Sequence, residues 1–122
     1  MKMVVAYIRH EAFEGIRQEL LEAGFPSITV IEVKGSGRQK GMTEHYRGAT
    51  IPINLRPKLK VECVVASDDV ATVTEAILRH ARTGSIGDGK IFVVPVEEAI
   101  RIRTGESGEE VLQAHERGGV TA

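Results

Sequence analysis

The order of patterned segments predicts an α+β fold of the ferredoxin-like type, βαββαβ with a short extra strand towards the C-terminal end. Three observations carry that expectation. Short runs rich in β-branched residues recur along the chain. Two other stretches repeat their apolar residues at intervals of three and four. Gly or Pro punctuates most of the junctions between them. With 122 residues, the chain is long enough for one domain with a core of its own.

Met1 to Arg9 predicts the first strand, in which Val4, Val5, Tyr7 and Ile8 make both faces largely apolar, so both should be covered. From Glu11 to Ala23 the spacing of Phe13, Ile16, Leu20 and Ala23 predicts a helix, with Gly24 as its stop signal and Pro26 barring its continuation. Glu11, Glu14, Glu19 and Glu22 read as the solvated face of that helix. Ser27 to Lys34 is a second, β-branched strand. Residues 35–57 hold four glycines and two prolines without clear periodicity. A loop so long in so small a domain is usually functional or disordered.

Lys58 to Ala66 predicts the third strand, with Leu59, Val61, Cys63 and Val65 facing one way. Ser67 is expected as the N-cap of a second helix, with Asp68 and Asp69 in its first turn and Val70, Val73, Ala76, Ile77 and Ala81 as its buried stripe. Lys90 to Val96 is a fourth strand. Ile100 to Thr104 is a short alternating one that places Arg101 and Arg103 on a common face. The domain is expected over 1–105, followed by a polar tail over 106–122 that is mobile or loosely docked, with one short helix possible over Glu109 to His115. Two helices cover only one face of a four-stranded sheet. The other face also carries apolar residues, which predicts a closed homo-oligomer with sheet faces packed together.

Sixteen basic against seventeen acidic residues leave a net charge of −1, so there is no electrostatic reason to expect nucleic acid or an anionic membrane. The single cysteine, Cys63, excludes an internal disulfide and a Cys-based zinc site. It falls on a buried strand face and reads as a core residue in a reduced, cytoplasmic protein. The apolar start is broken by Arg9 and His10, too early for a signal sequence or a membrane span. His10, His45, His80 and His115 are scattered, with no metal-ligand spacing on one element.

The chemistry concentrates in Arg82-Thr-Gly-Ser-Ile-Gly-Asp-Gly-Lys90. Gly84, Gly87 and Gly89 let the backbone curl so that N–H groups converge on an anion, and Lys90 adds a positive charge. Gly84 to Lys90 satisfies G-x-x-x-x-G-K, yet Ile91 stands where the P-loop needs Ser or Thr. The order here is also helix, loop, strand rather than strand, loop, helix, so a P-loop NTPase is not expected. A plain turn would account for one or two glycines. Three glycines with Asp88 and Lys90 favour a phosphate site.

Lys34-Gly-Ser-Gly-Arg-Gln-Lys-Gly41, Tyr46-Arg-Gly48, Thr83-Gly-Ser-Ile-Gly-Asp-Gly-Lys-Ile-Phe-Val93 and Ile100-Arg-Ile-Arg-Thr-Gly105 resemble the PII nitrogen-regulatory signalling proteins in order and spacing. The similarity runs from Met1 to about Gly105. It implies a ferredoxin-like homotrimer with ATP or ADP in each cleft between subunits, and 2-oxoglutarate beside Mg-ATP. The long loop, the T-loop of residues 36–57, would engage or release target proteins. Carried over by position, the nucleotide would meet Thr29, Gly35, Gly37, Arg38, Glu62, Val64, Gly87, Asp88, Gly89 and Lys90, with Arg101 and Arg103 from the neighbouring subunit. For 2-oxoglutarate the resemblance implies Gly37, Gln39, Lys40, Gly41 and Lys58, with Gln39 also helping to hold Mg²⁺. Glu44, Tyr46 and Arg47 would meet a partner such as an ammonium channel or a nitrogen-metabolism enzyme. A membrane would be reached only through a channel partner. Two positions depart from the family: its modified tyrosine falls at Ile51 and its phosphorylated serine at Ala49.

Other functions compete. One is a nucleotide-binding trimer whose main role is slow ATP hydrolysis, but no nucleophile, base or metal cluster stands beside the glycine loop. RNA-recognition modules share the βαββαβ order, yet they stack bases on sheet aromatics, and Leu59 to Val65 has none. The cation-tolerance type of ferredoxin-like trimer lacks the glycine loop. The expected role is therefore a non-enzymatic regulator.

Overall fold

The computed structural model describes residues 1–35, 43–46, 49–52 and 55–112, with the pieces between 43 and 52 described through their backbone alone. The main sheet contains β1 (Lys2–Ile8), β2 (Thr29–Gly35), β5 (Arg56–Val65) and β6 (Lys90–Pro95), in the spatial order β2-β5-β1-β6. Every neighbouring pair is antiparallel. β1 and β2 therefore run parallel with β5 between them, linked by helix α1 (Phe13–Glu22), while α2 (Val70–Ala81) links β5 to β6 in the same way. Two split βαβ units of this kind make the ferredoxin-like fold that the segment order predicts.

Register decides which face is buried. Val4 lies opposite Cys63, Ala6 opposite Val61 and Ile8 opposite Leu59, and all six are buried. Ile16 and Leu20 of α1 and Val73, Ala76 and Ile77 of α2 close over them to form one core. These are the positions that the three- and four-residue spacing selects, because they fall on one stripe of a 3.6-residue helix. α1 ends as Gly24 requires. Gly24 has φ +96°, its N–H donates to the Leu21 carbonyl, and the Phe25 N–H reaches back to the Leu20 carbonyl, a Schellman closure.

The opposite face of the sheet carries Met3, Val5, Tyr7, Val64, Phe92, Val94 and Ile31, interleaved with the Lys60–Glu62 ion pair at 3.3 Å. Val5 is buried between its neighbours, but Phe92 is 50% exposed. The inward positions of the two edge strands, Val30 and Val93, are also left partly uncovered.

Three local expectations change. Residues 10–12 and 67–69 form 3-10 turns ahead of the two helices. Ser67 is therefore not an N-cap: no side chain caps α2, whose N-cap position is Asp69. The long loop is not without regular structure, because β3 (Thr43–Tyr46) pairs antiparallel with β4 (Ala49–Pro52). The predicted strand over Ile100–Thr104 is a turn instead, closed by a Gly105 N–H donating to the Arg101 carbonyl and an Ile100–Ser107 bridge. Residues 106–112 dock on the domain, with a 3-10 turn over Glu109–Leu112: the Gly108 N–H bonds the Ala99 carbonyl, and Glu109 comes within 4.0 Å of the Met1 amino group.

Truncating a fully buried core side chain removes its transfer free energy and leaves a cavity. Leu20→Ala should therefore cost about 2–5 kcal/mol in urea unfolding. Leu21→Ala, one position along and 46% exposed, should cost far less.

Candidate functional site

Residues 82–89 leave α2 and turn into β6. Their shape is set by Asp88, whose carboxylate accepts from the Thr83 hydroxyl, from the Thr83 N–H at 2.7 Å and from the Gly84 N–H at 2.8 Å. The Thr83 hydroxyl and N–H lead in holding Asp88 down to about 2, helped by Gly84 and the Arg9 guanidinium and opposed by partial burial. Asp88 thus folds the loop on itself and occupies two N–H groups that an anion would otherwise use. Among the described residues, the Gly87 N–H and the Lys90 ammonium make no hydrogen bond, so these two are free to meet an anion.

Glycine is required at two places by contact as well as conformation. A Cβ on Gly89 (φ +109°) would sit 1.7 Å from the Tyr7 carbonyl oxygen, and one on Gly87 (φ +105°) would sit 2.9 Å from Arg9 Nη2. The loop is thereby pressed onto the end of β1. A cavity of about 250 Å³ opens beside it, between Ile77 and Ala81 of α2, the following Arg82, and Gly89, Lys90 and Ile91.

Two cations hold the loop from outside. Arg9 donates through Nε to the Gly87 carbonyl (3.1 Å) and through Nη2 to the Ile86 carbonyl (2.8 Å), and it lies 3.6 Å from Asp88. Lys58 of β5 donates to the same Gly87 carbonyl at 2.6 Å. Burial pushes the Lys58 ammonium below its ordinary value, and Arg9 and Arg56 push the same way, while Asp88 and Glu11 pull back in part. A lysine whose charge is disfavoured by burial and by neighbouring cations would be relieved by an incoming anion.

The sequence-derived candidates divide between the two ends of the sheet. Gly87, Asp88, Gly89, Lys90 and Lys58 lie together at one end. Gly35 closes β2 there too, opposite Arg56. Thr29 lies opposite Glu62, and Val64 opposite Met3, on the face away from the helices. Glu62 and Val64 are four and six residues along β5 from Lys58, or ~13 and ~20 Å at the usual strand rise. Arg101 lies in the turn that packs near Met1, with Nη1 on a Glu106 oxygen at 2.6 Å and Nη2 on the Val111 carbonyl at 3.3 Å. Arg103 is exposed in the same turn. The common strand face expected for these two arginines does not form, because residues 102–104 turn back. Gly37, Arg38, Gln39, Lys40, Gly41 and Arg47 lie outside the described residues. Glu44 and Tyr46 sit on β3, opposite Ile51 and Ala49.

Sequence reasoning missed Arg9. It stands at the end of a strand, where a basic residue signals only termination. Its partners are backbone carbonyls 77 and 78 residues away, and backbone acceptors leave no mark in side-chain patterns.

A ferredoxin-like sheet carrying a glycine loop that two cations clamp at one end defines a small α+β protein with a cationic, glycine-rich edge. The class becomes a family on comparison with known proteins. A family model described as nitrogen regulatory protein P-II matches residues 1–106. Nitrogen regulatory protein P-II 2 of Methanothermobacter thermautotrophicus is 53% identical over 112 residues, covering 92% of this chain and 97% of that one. The P-II proteins of Cereibacter sphaeroides and Rhodobacter capsulatus are 50% and 51% identical over 112 residues, covering 92% of this chain and all of theirs. The chain belongs to the nitrogen regulatory protein P-II family, and its role lies in nitrogen-regulation signalling. Among the described residues, no helix is long and apolar enough to cross a membrane.

The Asp88 carboxylate titrates lower in the folded loop than in the unfolded chain. Its contribution to stability is therefore complete above its ordinary value of 3.8 and is lost as pH falls towards about 2. Asp88→Asn should flatten the acid limb of thermal stability below pH 4. An unchanged acid limb in that variant would mean that the carboxylate does not hold the loop.

Proposed function

We propose that this protein senses ATP or ADP together with 2-oxoglutarate, and controls target proteins through the T-loop of residues 36–57. One observation carries the reading: Lys58 Nζ lies 2.6 Å from the Gly87 carbonyl. β5 is the strand on which the long loop returns, so this bond joins the base of that loop to the glycine loop. An anion drawn to Lys58 changes the restraint on both at once. The phosphates of ATP or ADP suit Gly87, Gly89 and Lys90, where the Gly87 N–H and the Lys90 ammonium are free among the described residues. Arg38 and Gly37 would extend that grip. A carboxylate of 2-oxoglutarate suits Lys58, with Lys40 and Gly41 beside it. Mg²⁺, held with the help of Gln39, would relieve the repulsion between a triphosphate and a dicarboxylate.

The separation of the candidates supports a homotrimer. Glu62 and Val64 lie ~13–20 Å along β5 from Lys58, and Arg101 lies beyond them at the far end. One copy would offer the glycine loop and its neighbour the Arg101 end, in a cleft between subunits. The half-covered apolar face with Phe92, Val94 and Ile31 supplies surface for that contact. In this reading the protein is a cytoplasmic regulator that does not bind nucleic acid. Its partner is an ammonium channel or a nitrogen-metabolism enzyme, met through Glu44, Tyr46 and Arg47. With Ile51 and Ala49 at the family's modified positions, ligand occupancy sets the loop without covalent change.

Titration calorimetry tests this directly. ATP and 2-oxoglutarate should each tighten the other by the same factor, and only with Mg²⁺ present. Lys90→Ala should weaken ATP by about 1.5–3 kcal/mol, the range for a hydrogen bond to a charged group. Light scattering should return three times the mass of the chain. Equal 2-oxoglutarate affinity with and without ATP would contradict the sensing mechanism.

A further inference from the structure

The turn after β6 is built around one guanidinium. Arg101 gives Nη1 to the Glu106 carboxylate (2.6 Å) and Nη2 to the Val111 carbonyl (3.3 Å), so two of its five N–H donors are engaged. Its backbone is held as well: the Arg101 N–H donates to the Glu106 carbonyl at 2.8 Å, and its carbonyl accepts from Gly105 at 2.7 Å. The Glu106 oxygen that takes Arg101 also accepts from the Thr104 hydroxyl at 2.9 Å, and the Glu106 N–H returns a bond to that hydroxyl. The segment after Glu106 then closes over the side chain, anchored by the Gly108 and Val111 backbone bonds. Arg101 is only 25% exposed in its side chain, whereas its neighbour Ile102 is 98% exposed. A turn that leaves an isoleucine in water while enclosing an arginine from two sides is organised to hold that arginine.

We infer that residues 106–112 form a clamp that presents Arg101 to a phosphate-bearing ligand, with Glu106 as the positioning residue. The inference rests on the proposed reading of Arg101 as a nucleotide contact. A long guanidinium side chain loses several rotors when it grips an anion, and fixing it beforehand removes that loss. The clamp leaves three N–H donors unengaged among the described residues, enough for a two-pronged grip on phosphate oxygens. Glu106 also lies close enough to reduce the local positive charge. The opposite possibility is therefore definite: the carboxylate competes with the phosphate, and removing it tightens binding.

ATP titrations of the full chain separate these outcomes. Arg101→Ala should weaken ATP. Glu106→Ala should weaken it roughly 3- to 10-fold, as expected when one rotor-rich side chain must be ordered on binding. Glu106→Gln keeps an acceptor oxygen and should stay within about twofold of the native chain, a rescue that loss of charge alone would not show. In an Arg101→Ala background, Glu106→Ala should add nothing, which distinguishes positioning from general destabilisation. Thermal midpoints read alongside separate unfolding from weakened binding. If Arg101→Ala weakens ATP while Glu106→Ala leaves it unchanged or tightens it, the clamp is overturned and the nucleotide site stands. If Arg101→Ala has no effect, both the clamp and the assignment of Arg101 to the nucleotide fall.

Discussion

The Gly87 carbonyl oxygen accepts two cationic donors, Arg9 from the end of β1 and Lys58 from β5, and the candidate site depends on that shared acceptor. Two like charges are brought to one partial negative charge inside a partly buried edge. Asp88 lies 3.6 Å from Arg9, but its hydrogen bonds go to Thr83 and Gly84. Lys58 is left with its charge disfavoured by burial, Arg9 and Arg56. An added anion would relieve that arrangement. The shared acceptor also ties three separate segments together.

The glycine loop shows why local patterning made part of this visible. Gly87 and Gly89 each combine a positive φ with a neighbour that a Cβ would strike, and such positions show in the sequence as glycine. Core-facing residues were visible for the same reason: Leu20, Val61 and Val73 are buried because their spacing places them on one face. What escaped is long-range or backbone-mediated. Arg9 bonds carbonyls, and carbonyls look alike in every sequence. The β3–β4 pairing joins residues with no strong alternation. Ile100-Arg-Ile-Arg alternates as a strand does, but Gly105 and the Glu106 contacts turn it back. Ser67 has the chemistry of a cap, yet the 3-10 turn places Asp69 at the start of α2.

The structure also adds to the meaning of three predicted residues. Asp88 is expected beside the phosphates, and its carboxylate is also the brace of the loop. Arg101 and Arg103 were expected side by side on one strand face. One is enclosed and the other exposed, so their contributions to any ligand should differ. Both changes follow from local hydrogen bonding that composition does not reveal.

If Lys58 links the glycine loop to the long loop, its removal should show in the ATP–2-oxoglutarate coupling free energy, measured in Lys58→Met. This variant keeps the apolar stem and removes the ammonium. The account predicts that ATP alone binds within a few-fold of the native chain, while the mutual tightening with 2-oxoglutarate disappears. A Lys58→Met protein that kept the full coupling would contradict it.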